Sequence, residues 1–196
     1  MEDSISSILI LVLLIIMSAY FSATETAYSS LNKIKLKSIA NKGNKKAKLA
    51  LELSEKYDSV ISTILIGNNI VNIATASLAT VLFTKLLGSS GVTVSTIVMT
   101  ILILIFGEIS PKSIAKDIPE SFAIVSAPLL NAFCIILKPV NNLFCLWKKV
   151  ISKVFKIQKH SGITEDEILT IAEEAENEGG INPQQLEIIK SAIELN

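Results

Sequence analysis

The sequence predicts an all-α membrane protein with three transmembrane helices and a kinked third helix, followed by juxtamembrane or re-entrant helices and a cytosolic helical hairpin. Half of the 196 residues are hydrophobic. They occur in runs long enough to cross the hydrocarbon core of a bilayer, which is typical of a membrane protein and not of a soluble core. The net charge of zero combines a lysine-rich segment after the first run with an acidic segment at the C-terminus.

The first transmembrane helix is predicted at Ser4–Thr24, which carries no charge and is rich in Ile and Leu. At a rise of about 1.5 Å per residue, this segment covers a hydrocarbon core of roughly 30 Å. The acidic start, Glu2 and Asp3, argues against a secretory signal peptide. Ser18 and Ser22 are four residues apart and share one helix face. Membrane-helix serines usually bond to their own helix or pack against a neighbour, so this pair alone does not define a site.

A connector with seven lysines follows between Lys33 and Lys48. It predicts a solvated segment next to the membrane. Nucleic-acid binding is not expected, because no aromatic residues alternate with the lysines and the chain contains no arginine.

The second transmembrane helix is predicted at Ser59–Thr84, which is uncharged but unusually polar. Its spacing places Asn68 and Asn72 on one face, with Asn69 beside them. An amide without a partner in hydrocarbon costs several kcal/mol, so these side chains need partners. Interhelical hydrogen bonds and cation coordination both meet that need.

The third transmembrane helix is predicted from Val92 to Gly107, and it ends beside a carboxylate and a proline. A charged group such as Glu108 is costly in lipid and indicates a functional site. Pro111 has no N–H, so in an α-helix it would leave the carbonyl of Gly107 free. A carboxylate beside a free carbonyl suits a hard cation. The alternative is a kinked helix in which Glu108 pairs with a lysine such as Lys112.

The lysine distribution predicts an N-terminus outside the cell and a cytoplasmic C-terminal half. Ser121–Leu137 is apolar but short and contains Pro128, which predicts a broken, re-entrant or juxtamembrane helix pair. Val140–Lys159 is predicted to form an amphipathic helix on the inner membrane surface.

The domain prediction is therefore a transmembrane domain with juxtamembrane helices at 1–160 and a cytosolic acidic helical bundle at 161–196. Ile163–Asn196 carries nine acids and one lysine. Thr164 with Glu167 predicts the cap of its first helix, and Asn182-Pro183 the start of its second.

The polar residues of the three spans together form an all-oxygen set with one full charge. Two hydroxyls, one or two amide oxygens, a carboxylate and a carbonyl suit Mg²⁺ or Na⁺ and not zinc or copper. The candidate metal ligands are Ser18, Ser22, Asn68, Asn72, Gly107 and Glu108.

Three motifs carry a family resemblance: FSATETA at 21–27, LIGNNIVN at 65–72 and FGEISPKSIAK at 106–116. In this order and spacing they resemble the transmembrane domain of the CorC/CNNM (cyclin M) magnesium transport proteins, and the resemblance covers essentially the whole chain. It implies a homodimer in membrane lipid with a partly dehydrated Mg²⁺ in an inward-facing cavity. It also implies the candidate ligands given above, with Asn68 and Asn72 preferred to Asn69. The nucleotide-binding CBS pair that usually follows in the family is absent from these 196 residues.

The function expected from these features is Mg²⁺ transport, with Na⁺-coupled export implied by the resemblance. One alternative is a Mg²⁺-responsive membrane regulator that binds the ion without moving it, and another is a plain membrane anchor. An enzyme is not expected, because the sequence offers neither a nucleophile–base pair nor a phosphate-binding glycine loop, nor a second carboxylate within the membrane.

Overall fold

The computed structural model describes residues 2–141, 143, 165–177 and 180–194, and within these residues the regular structure is entirely helical. The chain divides into two compact units, Met1–Trp147 and Lys148–Asn196. The domain boundary predicted after residue 160 lies outside the described residues and stays a prediction.

Seven α-helices of the first unit lie wholly within the described residues. They are α1 (Glu2–Ser30), α2 (Lys33–Asn41), α3 (Lys45–Glu55), α4 (Tyr57–Leu87), α5 (Gly91–Leu102), α6 (Ser110–Asp117) and α7 (Pro119–Ile136). A 3₁₀ turn at Gly88–Ser90 joins α4 to α5, and a π-helix at Ile103–Ile109 joins α5 to α6. The second unit contains α8 (Glu165–Asn177) and α9 (Pro183–Glu194).

Among the described residues, three helical stretches are long and apolar enough to cross a membrane: Ile5–Ser30, Tyr57–Asp117 and Pro119–Ile136. The second stretch holds two of the predicted spans, because the chain reverses at the 3₁₀ turn and α5 packs back along α4. Gly91 permits this reversal, since a Cβ there would clash with the backbone of Phe83. The predicted all-α membrane fold is confirmed.

The stretch Pro119–Ile136 forms one unbroken helix. The prediction of a broken helix in this stretch is therefore wrong, whereas a re-entrant or juxtamembrane position stays a prediction. Pro128 lies on its exposed side, where one missing N–H does not disturb the packing. On the opposite side Ala123, Ala127 and Leu130 are fully buried. Their burial in the core shared with α1 and α3 holds the helix together across the proline.

α7 lies at the end of the bundle where α1 ends and α4 begins, which we call the lysine-rich end. The Tyr20 hydroxyl donates to the Ser126 carbonyl at 2.9 Å, and the rings of Phe21 and Phe133 are 4.9 Å apart. α2 and α3 pack at the same end. We call the opposite end, at Gly88–Ser90, the turn end.

In the second unit, Asn182 and Gln185 exchange hydrogen bonds between side chain and backbone at 2.9 and 2.8 Å. Pro183 is the first residue of α9, which confirms the predicted helix start. Lys190 and Glu173 pair at 2.7 Å and link α9 to α8. The predicted cap at Thr164 and most of the amphipathic helix predicted at 140–159 lie outside the described residues.

Candidate functional site

Polar side chains from three membrane helices meet near the middle of the first unit. The Ser18 hydroxyl on α1 donates to Asn72 Oδ1 at 2.7 Å and lies 3.3 Å from Asn68 Oδ1 on α4. The Asn72 amide nitrogen donates in turn to Glu108 Oε1 at 3.2 Å. We call Ser18, Asn68, Asn72, Gly107 and Glu108 the polar cluster. One chain of hydrogen bonds therefore joins α1, α4 and the π-helix.

Gly107 brings the backbone of the π-helix against α1. A Cβ at this position would lie 3.0 Å from Ser18 Oγ and 3.4 Å from Ser18 Cβ. Gly107 is buried, so a side chain there would push Ser18 away. The missing side chain thus allows the π-helix and α1 to come into close contact.

The irregularity predicted at Pro111 takes the form of a π-helix. The N–H of Ser110 donates to the carbonyl of Ile105, five residues back. Because Pro111 has no N–H, it cannot donate to Phe106 in this five-residue pattern or to Gly107 in the α-helical pattern. The prediction assumed α-helical spacing and named only the Gly107 carbonyl. The change of pitch adds the Phe106 carbonyl as a second candidate oxygen.

Ser22 is fully buried one turn from Ser18. Its hydroxyl oxygen has no hydrogen-bond partner among the residues that the structure describes. Leaving a buried hydroxyl without a partner costs about 1–3 kcal/mol. Such a group is often explained by an ion or a water molecule. Ser22 is therefore a free oxygen on the same face of α1 as the polar cluster.

Two residues considered in the sequence lie elsewhere. Asn69 is exposed, and its amide nitrogen donates to the Leu65 carbonyl of its own helix at 2.9 Å. Lys112 pairs with Glu25 at 3.1 Å, whereas the hydrogen bond to Glu108 comes from Asn72. The alternative in which Lys112 pairs with Glu108 is thus not the observed arrangement.

The oxygens of the polar cluster lie at hydrogen-bond distances from one another, which are similar to the distances between neighbouring ligands of a small hard cation. Mg²⁺ binds six oxygens at about 2.0–2.1 Å, so neighbouring ligand oxygens are separated by roughly 2.9 Å. The distances from Ser18 Oγ to the two amide oxygens are 2.7 and 3.3 Å, on either side of that value. In the described part of the chain, no group of three His, Cys, Asp or Glu residues converges. A cation here would therefore be held mainly by neutral oxygens.

Sequence reasoning missed the aromatic contact that sets the distance between α1 and α4. Phe21 is 1% exposed, and a Cβ on Gly67 would lie 2.5 Å from its ring. Gly67 directly precedes Asn68, and Phe21 directly precedes Ser22. This contact therefore fixes the level at which the serines meet the asparagines. The glycine before the asparagines was the available signal, but its aromatic partner lies on another helix.

The fold and the polar cluster define an α-helical membrane protein with an oxygen-lined polar centre between its spans. Residues 9–185 match the family described as the cyclin M transmembrane N-terminal domain, and the chain belongs to that family.

Relatives in two bacteria cover parts of the chain. A UPF0053 protein of Haemophilus influenzae is 42% identical over 63% of this chain and 30% of its own length. The UPF0053 inner membrane protein YfjD of Escherichia coli is 44% identical over 58% of this chain and 26% of its own length. A polyamine export protein of Haemophilus influenzae is 28% identical over 96% of this chain and 47% of its own length. The chain thus spans less than half the length of each of these relatives.

Proposed function

We propose that this protein transports Mg²⁺ across the cell membrane, exporting it in exchange for Na⁺. The observation that carries the proposal is the polar cluster, in which one carboxylate and several neutral oxygens meet between three spans. Mg²⁺ prefers such hard oxygen ligands and keeps part of its water shell. The proposed site is a cavity that opens to the cytoplasm at the lysine-rich end, with the N-terminus outside.

The hydrogen bonds of the polar cluster support a specific binding mode. The amide nitrogen of Asn72 points to Glu108, so its oxygen faces Ser18. The hydrogen of the Ser18 hydroxyl lies near the amide oxygens of both Asn68 and Asn72. In the bound state, Mg²⁺ replaces this hydrogen as the positive partner of the two amide oxygens, and the hydroxyl turns its lone pair to the ion.

The remaining ligands complete the proposed site. Glu108 neutralises one of the two charges of the ion. The hydroxyl of Ser22 and the carbonyl of Gly107 replace further water molecules. Na⁺ also binds hard oxygens and can occupy the same site when Mg²⁺ has left, which couples the two ions by exchange. The family resemblance supports a homodimer in membrane lipid as the functional unit.

Isothermal titration calorimetry on the purified chain tests the binding site. We expect saturable Mg²⁺ binding by the wild type and its loss in Glu108→Gln, which removes the charge and keeps the shape. Glu120→Gln is the matched control, because Glu120 is a buried carboxylate that pairs with Lys35 at 2.9 Å. Unchanged affinity in Glu108→Gln would refute the proposed site.

A flux measurement separates transport from regulation. Purified protein in liposomes with a Mg²⁺-sensitive dye should move Mg²⁺ when an opposed Na⁺ gradient is applied. A protein that binds Mg²⁺ in calorimetry but gives no flux would instead be a Mg²⁺-responsive membrane regulator.

Polyamine export is a second candidate function. It is favoured by the relatives named polyamine export proteins, which align with nearly the whole of this chain. A polyamine carries several positive charges along an extended chain, whereas the polar cluster offers one carboxylate. We therefore expect Mg²⁺ to be preferred. The same liposomes loaded with spermidine test this, and faster movement of spermidine than of Mg²⁺ would favour the second candidate.

A further inference from the structure

An apolar plug lies between the polar cluster and the turn end. All three membrane helices contribute to it, as they do to the polar cluster. Its buried members are Leu11, Ala79, Leu82 and Met99, with Ile15, Leu78, Leu102 and Ile103 packed against them. The plug begins directly beside the site, because Ile103 Cγ2 lies 3.5 Å from the position of a Cβ on Gly107.

A groove borders the plug between α4 and α5. Its volume is about 230 Å³, and its lining includes Ser95, Met99 and Ile103. That volume exceeds the roughly 30 Å³ occupied by one water molecule several-fold. The groove therefore has room both for water and for a displaced side chain.

Ser95 is a buried polar group in this groove, one turn from Met99 in the direction of the turn end. It is 0% exposed, and its hydroxyl oxygen lacks a hydrogen-bond partner in the described part of the chain. The neighbouring Thr96 instead bonds to the Val92 carbonyl of its own helix at 2.9 Å. Ser95 thus offers an unused oxygen on the far side of the plug from Glu108.

We propose that Met99 is the gate that closes the polar cluster towards the turn end, and that Ser95 is the first oxygen that a cation meets beyond it. This inference rests on the proposed function. A charged ion cannot cross the apolar plug while it is packed, because a charge in an apolar medium is strongly disfavoured. Met99 has an unbranched, flexible side chain, and the groove beside it provides the space into which it moves.

Leak of Mg²⁺ from liposomes tests the gate without requiring coupled transport. With Mg²⁺ inside and no Na⁺ gradient, we expect Met99→Ala to leak at least tenfold faster than the wild type. Met99→Leu keeps the volume and should remain tight. Ile97→Ala on the same helix is the matched control, because Ile97 is 56% exposed and lies outside the plug. A Met99→Ala protein that leaks Mg²⁺ no faster than both controls would overturn the gate.

A second pair of variants tests Ser95 and does not depend on the folding of Met99→Ala. In a background with Cys134→Ala and Cys145→Ala, we expect Ser95→Cys to react with a membrane-impermeant cationic thiol reagent applied from the turn end. Ile97→Cys should not react, because Ile97 lies on an exposed apolar face of the membrane helix that would contact lipid, which a charged reagent does not enter. Equal reactivity of the two cysteines would overturn the role of Ser95.

If Met99→Ala leaks while the wild type shows no coupled Mg²⁺ flux, the gate stands and the proposed transport fails. If the wild type transports and neither variant behaves as expected, only the gate fails.

Discussion

The replacement Asn72→Leu removes the residue that joins the two ends of the polar cluster. Asn72 accepts a hydrogen bond from Ser18 at 2.7 Å and donates one to Glu108 at 3.2 Å. Leucine has a similar size but no polar atom, so both bonds disappear while the packing is largely kept. The Ser18 hydroxyl then keeps only its 3.3 Å contact with Asn68, and Glu108 loses an amide donor.

The expected magnitude follows from these lost contacts. Losing one oxygen ligand and leaving its neighbours without partners costs about 1–3 kcal/mol. At 1.4 kcal/mol for each factor of ten, this weakens Mg²⁺ binding about 5- to 150-fold. Because Asn72 and Glu108 are only half-buried, we expect the stability of the empty protein to fall by less than the binding energy.

Calorimetry of Asn72→Leu beside Asn69→Leu checks this reasoning. Asn69 has the same chemistry three residues earlier on α4 but lies exposed, bonded to its own helix. We expect Asn69→Leu to bind Mg²⁺ as the wild type does. If both variants lose affinity equally, Mg²⁺ affinity depends on the polarity of the second span in general and not on the observed contacts of Asn72. If neither loses affinity, the Asn72 amide oxygen is not a ligand.

Three further predictions follow from contacts around the site. Gly107→Ala should weaken Mg²⁺ binding at least tenfold in calorimetry, since its Cβ would lie 3.0 Å from Ser18 Oγ; an unchanged affinity would mean that the backbone of the π-helix can move aside. Gly67→Ala should lower the midpoint of thermal unfolding and weaken binding together, because its Cβ would lie 2.5 Å from the rigid ring of Phe21. Restoration of both by the added change Phe21→Leu would confirm the cause, and failure to restore either would contradict it. Glu120→Gln should lower stability by only about 1 kcal/mol, because its ion pair has a largely exposed lysine partner. Mg²⁺ affinity should not change, because Glu120 is not part of the polar cluster; a loss of affinity would contradict this.

The arrangement of residues within each helix was predictable from the sequence. Spacings of three and four residues place side chains on one helix face regardless of their partners. This rule put Ser18 with Ser22 and Asn68 with Asn72, and the structure brings Ser18 to both asparagines. The spans were predictable for a similar reason, because their length and apolar character are local properties.

Features that depend on contacts between helices could not be predicted in this way. The π-helix differs from an α-helix by one residue in its hydrogen-bond register, and the composition around Pro111 suits either form. The unbroken α7 depends on alanines that other helices bury. Their burial stabilises the helix by more than the single proline destabilises it. The contact of Phe21 with Gly67 joins two motifs whose order in the sequence gives no indication of their depth in the membrane.

The pairing of Lys112 with Glu25 bears on how tightly a cation could be held. A lysine bonded to Glu108 would compete with any cation as a permanently attached ammonium group. With the neutral Asn72 amide as its donor, Glu108 has no ammonium group bonded to it that a cation would have to displace. A bound Na⁺ would leave the polar cluster neutral, whereas Mg²⁺ would leave one positive charge in a partly buried setting, where charges are poorly screened. Mg²⁺ would therefore be bound less tightly than by two carboxylates and could be displaced by Na⁺. A lone acid among neutral oxygens thus suits an exchanger better than a storage site.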